Sequence, residues 1–295
     1  MLELVLRILG IIFPVFACVG IGAVYGYRSR INLSVINQIN MDVFTPLLVF
    51  WVLVDKPFDW GTYSHLAIAG TVVVLGSGLV LLPLVWLFKI NPKTFLPPMM
   101  FNNSGNMGLP LMLFTFGEQA LQAGVVLFLV EMILHFTVGL FILDHKTRPW
   151  TLLKMPMIQA TILGLAFSAF HLTLPEPIAN AIKLMGQVAI PLMLFALGVR
   201  LLDINFRDWQ LGLLGAFAAP LSGIVCALGF QALMPLGYDQ FAWLLLFAAL
   251  PPAVLNVLVS ERYKQEPEKV ASIVLMGNVG SLVAIPLTLY FVLPH

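Results

Sequence analysis

Leu96-Pro97-Pro98-Met99-Met100-Phe101-Asn102 and Leu250-Pro251-Pro252-Ala253-Val254-Leu255-Asn256 are one seven-residue pattern written twice, 154 residues apart. The leucine, both prolines and the asparagine are identical, and each copy lies inside a long apolar stretch. Proline removes a backbone donor and clashes with the preceding turn, so a helix is expected to break at each copy, near mid-span. Two further pairs frame this one: Phe44-Thr45-Pro46-Leu47-Leu48-Val49-Phe50 with Ala189-Ile190-Pro191-Leu192-Met193-Leu194-Phe195, and Phe58-Asp59-Trp60 with Arg207-Asp208-Trp209. The offsets of 145, 149 and 154 residues rise in order, as a duplicated unit with small insertions would give.

Composition supplies the solvent in which these repeats fold. Of 295 residues, 60% are hydrophobic and 10% charged, against about 25% charged in a soluble domain, so no water-facing surface can be built and the lipid bilayer must take its place. Apolar stretches near the roughly 20 residues a spanning helix needs recur at 6–27, 34–54, 62–88, 94–116, 120–143, 151–171, 179–200, 210–233, 240–260 and 268–292. Open strands would leave peptide groups unpaired in lipid, and the runs lack barrel alternation, so each is expected to be a helix. The expected fold is an all-α integral membrane protein of ten transmembrane helices. It divides into a first five-helix repeat at 1–145 and a second at 146–295, with broken helices 4 and 9 crossing. An odd number of spans per unit inserts the second copy upside down, the inverted-topology arrangement of many transporters.

Sorting positive residues by alternate loops orients the chain. One side collects Arg28, Arg30, Lys89, Lys93, Lys146, Arg148, Lys154, Arg200, Arg207, Arg262, Lys264 and Lys269, twelve of fifteen, and the other keeps Arg7, Lys56 and Lys183. Both termini are then expected on the non-cytoplasmic side. Arg7 ahead of an apolar run could mark a cleaved signal, but Glu3 weakens the positive region, and the segment has a counterpart in the second half, so it is taken as the first span. The net charge of +1 without a basic block argues against nucleic acid as a partner. Cys18 and Cys226 lie in distant apolar spans and read as small buried hydrophobes.

Polar residues concentrate beside the first proline pair. Asn102, Asn103, Ser104 and Asn106 stand among Gly105 and Gly108, glycines that let backbone unwind and approach a ligand. Half-helix N-termini created by breaks at Pro97-Pro98 and Pro251-Pro252 would offer N–H donors and partial positive charge to an anion. Asn256 recurs beside the partner break, favouring a joint substrate site, although a polar hinge or helix contact would use the same residue types. Glu131 lies near the centre of span five, where a carboxylate costs on the order of 2.5–3.5 kcal/mol on insertion scales. His135 is one turn on, so the pair can share a proton, or Glu131 can hold a coupling cation; a neutral Glu131 bonded to His135 or to span-four amides is the structural alternative. Asn278 holds a comparable place in span ten. Glu131-x-x-x-His135 lacks the second histidine of a zinc-protease helix, and no nucleophile-elbow or phosphate-loop pattern appears. No enzymatic activity, cofactor or metal is therefore expected.

Taken together, Asn102-Asn103-Ser104-Gly105-Asn106-Met107-Gly108-Leu109-Pro110-Leu111, Leu250-Pro251-Pro252, Ser260-Glu261-Arg262-Tyr263 and the Pro-Leu-x-x-Phe of spans two and seven resemble the auxin efflux carrier family, in a bacterial-type member. The resemblance covers the whole chain, which has no long central loop of the kind many plant exporters carry. It implies a scaffold domain from helices 1, 2, 6 and 7 (about 1–57 and 151–205) and a transport domain from helices 3–5 and 8–10 (about 58–145 and 206–295). It also implies homodimers through the scaffold, an inner-membrane location and an organic-anion substrate, a mono- or dicarboxylate. Plant carriers often have proline where Asn256 stands, so substrate contact is implied more directly for Asn103.

The expected function is secondary transport of a small organic anion by alternating access, with Asn102, Asn103, Ser104, Asn106 and Asn256 at the substrate. Glu131, His135 and Asn278 would couple transport to protons or sodium. A cation/proton antiporter of the same inverted architecture is the alternative within transport; a membrane sensor or structural subunit is the alternative outside it.

Overall fold

The computed structural model describes residues 2–29, 33–55, 58–145, 149–202 and 208–293, and every regular element among them is helical. Arg30, Lys56, Lys146, Arg148 and Arg207, used above to orient the chain or match the repeats, lie outside the described residues.

Helix α1 spans Leu2–Ser29, and α2 (Ser34–Ile39) continues through a π-helical turn at Asn40–Phe44 into α3 (Thr45–Asp55). Helix α4 (Trp60–Leu87) starts at Asp59, whose carboxylate accepts from Gly61 N and Thr62 N. Next come α5 (Pro92–Met100), a π turn at Ser104–Gly108 and α6 (Leu109–Phe116). Helix α7 (Glu118–Leu134) runs through a π turn at His135–Gly139 into α8 (Leu140–Leu143). The second half holds α9 (Pro156–Ala169), α10 (Glu176–Gln187), α11 (Ala189–Arg200), α12 (Trp209–Leu233), α13 (Tyr238–Ala248), α14 (Leu255–Arg262) and α15 (Pro267–Val292).

Among the described residues, seven continuous helical stretches are long and apolar enough to cross a bilayer: Glu3–Ser29, Ser34–Asp55, Trp60–Leu87, Glu118–Leu143, Glu176–Arg200, Trp209–Leu233 and Pro267–Val292. Helix α9 is apolar but shorter. The segments α5–α6 and α13–α14 differ in kind. With 9 residues in α5 and 11 in α13, at about 1.5 Å per residue each piece rises roughly half of a 30 Å hydrocarbon core. Phe13, Trp86, Phe217 and Val283 are each more than two-thirds exposed. Their helices bury other faces in the core, an outer surface suited to hydrocarbon rather than water. The chain is a multi-pass helical membrane protein.

Close backbone packing fixes the interrupted pieces. A Cβ on Gly223 of α12 would lie 2.2 Å from Ala248 O, so the end of α13 rests on the α12 backbone. At the other side of the molecule α1 meets α11 as closely, a Cβ on Gly198 falling 1.9 Å from Val19 O; small residues permit such approach where lipid supplies no hydrophobic drive.

The two proline pairs do different work. Pro251 and Pro252 sit in the non-helical stretch between α13 and α14, as expected. Pro97 and Pro98 instead lie inside α5, whose hydrogen bonding continues to Phe101 N on Pro97 O at 2.9 Å, and the helix opens only at 101–103. They are the sixth and seventh of its nine residues, so each removes an intrahelical donor, to Lys93 O and Thr94 O, without ending the helix there. The expectation for Gly105 and Gly108 also changes in kind. Both sit in the π turn without positive φ, and a Cβ at Gly108 would meet Leu250 Cδ1 at 2.8 Å. They provide close approach rather than unwinding.

Candidate functional site

The two opened segments complete each other's backbone. Asn103 N donates to Pro251 O at 2.7 Å and Ala253 N to Phe101 O at 3.0 Å, an antiparallel bridge centred on Asn102 and Pro252. Peptide groups freed by breaking a helix in lipid must find partners in protein or a wet cavity, and here one break supplies the other.

Side chains extend the pairing. Asn102 Nδ2 donates to Phe247 O at 2.8 Å, and Asn256 Nδ2 to Phe101 O at 2.9 Å and Ala253 O at 3.0 Å. Asn103 reaches α15, where it donates to Asn278. Ser104 Oγ donates to Glu131 Oε2 at 2.5 Å, in the range of a hydroxyl bound to a carboxylate. Glu131 Oε1 stands 3.6 Å from His135 Nδ1, and the imidazole stacks on Phe101 with ring centroids 4.2 Å apart and planes 7° from parallel. Glu131 and His135 are 4% and 2% exposed, so both are held by protein rather than water. Asn102 Oδ1, Glu131 Oε1, His135 Nε2 and Asn256 Oδ1 are buried with no hydrogen-bond partner among the described residues.

A cavity of about 130 Å³ lies against this crossing. Asn102, Asn103, Gly105, Asn106, Glu131 and His135 line it, together with Asn37, Asn40, Thr45 and Arg200 from other helices. Asn256 and Asn278 do not line it: they hold the breaks together from behind. Arg200, which the charge sorting sets at the cytoplasmic end of its span, also borders this cavity, and Asn40 and Thr45 are not among the site residues expected from the sequence. A polar residue inside an apolar span, as Asn40 is, was the available cue.

A second cavity, of about 360 Å³, is lined by Trp51, Asp55, Glu118, Gln122, Lys183 and Gln187, among others. Gln122 is held there by Tyr63 and by Val52 O, and the Lys183 ammonium lies 5.5 Å from the Trp51 ring centre. Three helical stretches connect the cavities: Asn40 and Asp55 lie on 34–55, Glu131 and Glu118 on 118–143, Arg200 and Lys183 on 176–200. The two spaces therefore lie toward opposite ends of the same spans.

A helical bundle with two mutually satisfied helix breaks beside a cavity lined in part by polar side chains has the build of a multi-pass membrane protein. The family model described as "Membrane transport protein" matches residues 145–289. A curated relative from Rhizobium meliloti (strain 1021), named "Putative malonate transporter", is 26% identical over 211 residues, 65% of this chain and 64% of the relative, so the match spans less than two thirds of that protein's length. The second half of the chain is thus similar to this family of membrane transport proteins, in agreement with the resemblance carried by the motif at 250–263.

Proposed function

We propose that this chain is a secondary carrier that moves a small organic carboxylate across a cell inner membrane by alternating access. The observation that carries this reading is the cavity against the paired breaks, lined by Asn102, Asn103 and Asn106. Amide N–H groups and the partial positive charge of helix starts after the breaks suit an anion. The cavity toward the opposite end of the same spans supports two-sided access, and the relative's name supports a carboxylate.

The same reading takes the seven long stretches, α9 and the two interrupted segments as ten spans in two inverted repeats, 1–145 and 146–295, with both termini non-cytoplasmic. The α1–α11 contact, and the packing of α3 on α9 and α10, support a scaffold domain; that of α12 on α4, α5, α13 and α15 supports a transport domain. A homodimer through the scaffold follows from the family resemblance. Glu131 and His135, with Ser104 on the carboxylate, are the proposed coupling site for protons or sodium.

Carboxylate uptake into proteoliposomes tests the proposal. Loss of one or two hydrogen bonds to a charged guest corresponds to about tenfold or more in uptake for Asn103→Ala and Asn106→Ala; wild-type rates in both would overturn the site. The buried Glu131–His135 pair also favours a second reading, a cation/proton antiporter. That reading requires cation-dependent proton flux without any carboxylate, abolished in Glu131→Gln.

A further inference from the structure

His135 also borders a third and much smaller space. A cavity of about 10 Å³ is lined by Lys93 of α5, Asn256 and Ser260 of α14, and His135 and Gly139 of the π turn after α7, among others. A Cβ on Gly139 would lie 3.1 Å from His135 Cδ2, the ring carbon bonded to Nε2, so the Nε2 edge of the imidazole turns toward this cavity while Nδ1 faces Glu131. His135 and Asn256 are 2% and 3% exposed, and His135 Nε2 and Asn256 Oδ1 have no hydrogen-bond partner among the described residues. Buried polar atoms are rarely left so without a water, an ion or a functional reason. A single water needs about 10–15 Å³ and two to four polar partners.

The lining offers a matched set of partners. Asn256 Oδ1 only accepts, and Ser260 Oγ, whose own hydrogen goes to Val257 O at 2.7 Å, is left to accept as well. Both hydrogens of a water are thereby spent. Lys93 Nζ donates to Leu143 O at 3.0 Å and has further N–H groups for a lone pair of the water, and its charge makes the space unsuited to a cation. What remains for His135 is the other lone pair, which takes an N–H and not a bare nitrogen.

We infer that this cavity binds one water, which accepts from His135 Nε2 and donates to Asn256 and Ser260, and so fixes the tautomer in which His135 meets Glu131. A neutral imidazole with its hydrogen on Nε2 turns the Nδ1 lone pair toward Glu131 Oε1, 3.6 Å away. A carboxylate oxygen and a bare nitrogen repel until one proton is added to either, no other bond being made or broken, and the pair then shares it. In the linings of this cavity and the larger one beside it, the charged groups around His135 are Glu131 on the same helical stretch, Lys93 from α5 and Arg200 from α11. Asn256 and Ser260 are positioning residues that make Glu131 and His135 a one-proton site. The inference rests on the coupling site proposed above and selects the proton over sodium there.

The experiment uses the full chain in proteoliposomes, with malonate as the probe. Exchange of malonate at equal concentrations on both sides needs no net proton movement, whereas uptake driven by an imposed pH gradient without sodium needs the proton bound and released. Ser260→Val, which removes an acceptor and fills the space, is expected to cut gradient-driven uptake about tenfold or more while exchange stays within about twofold. Ser260→Ala, which leaves the space, falls between. In the nitrogen NMR spectrum, the His135 Nε2 signal, assigned by its loss in His135→Gln, is expected to be that of a protonated nitrogen. A bare Nε2, equal loss of exchange and driven uptake, or no change in either overturns the water site. If Ser260→Val does not fold, Ser260→Ala and the wild-type spectrum decide. Uptake driven by sodium and indifferent to the pH gradient overturns the inference while leaving the carboxylate reading intact. Wild-type protein that exchanges neither malonate nor any other carboxylate overturns that reading, and the spectrum then decides the tautomer by itself.

Discussion

Asn103 Nδ2 donates to Asn278 Oδ1 at 3.2 Å across 175 residues of chain, and Asn278 Nδ2 donates in turn to Pro252 O at 3.1 Å and Val274 O at 2.7 Å. One buried amide of α15 thus ties both breaks. In Asn278→Leu, of similar size, Asn103 Nδ2 loses its acceptor and Pro252 O its side-chain donor, and an unsatisfied buried group costs about 1–3 kcal/mol. The thermal unfolding midpoint in detergent is expected to drop, with uptake falling alongside it, while Asn278→Asp, which keeps the acceptor, lies between. An unchanged midpoint in Asn278→Leu would show that this amide does not hold the crossing.

Gly277 supplies the clearance for that contact. A Cβ there would fall 2.5 Å from Pro252 Cδ, a ring atom that cannot swing aside. Overpacking of this kind costs about 1–3 kcal/mol, so Gly277→Ala is expected to lower the unfolding midpoint and to impair uptake. Gly10→Ala, whose added Cβ meets nothing within 4 Å, is the matched control and should leave both unchanged. Equal behaviour of the two variants would refute the proposed squeeze against Pro252.

Glu266 precedes α15 with left-handed backbone, φ 44° and ψ 56°. Such a conformation is strained for a glutamate, and its carboxylate compensates by accepting from Lys269 Nζ, from Thr94 Oγ1 at 2.5 Å and from Asn91 Nδ2 at 3.1 Å. The Lys269 bond first, then the Thr94 bond, hold the carboxyl below its ordinary value. Since the folded value is depressed, the stabilisation is present above the unfolded value of about 4.3 and disappears as pH falls through the folded one. The Lys269–Glu266 pair is 43% and 36% exposed, so its share is about 0.2–1 kcal/mol. Glu266→Gln should lower the unfolding midpoint at pH 7, with the gap closing below about pH 4. A gap of equal size at both would remove the carboxylate from this role.

Much of this architecture is written locally. Apolar run lengths announce the long helices, and Pro251-Pro252 announces the second opening, because such features act within a few residues of themselves. The first opening lies downstream of Pro97-Pro98 because it is set by Asn103 N and Phe101 O finding partners at Pro251 and Ala253, a tertiary match no single stretch encodes. The Ser104–Glu131 bond and the Phe101–His135 stack likewise join residues whose proximity depends on how separate helices pack. The place of Arg200 in the cavity lining is hidden for the same reason: in the sequence it is a charge at the end of a span, and only the approach of α2, α3 and α7 brings that end against a cavity.

The bridge at Asn102 and Pro252 also imposes an order on biosynthesis. When the ribosome has delivered the amides of 102–106 to the membrane, the backbone acceptor at Pro251 and the donor at Ala253 are still about 150 residues from being made. Until they arrive, a dehydrated gap in an α-helix must be tolerated by the insertion machinery or by transient water. The second half of the polypeptide therefore acts as an internal chaperone for the first, and nascent chains stopped before Pro251 should be prime substrates for membrane quality control.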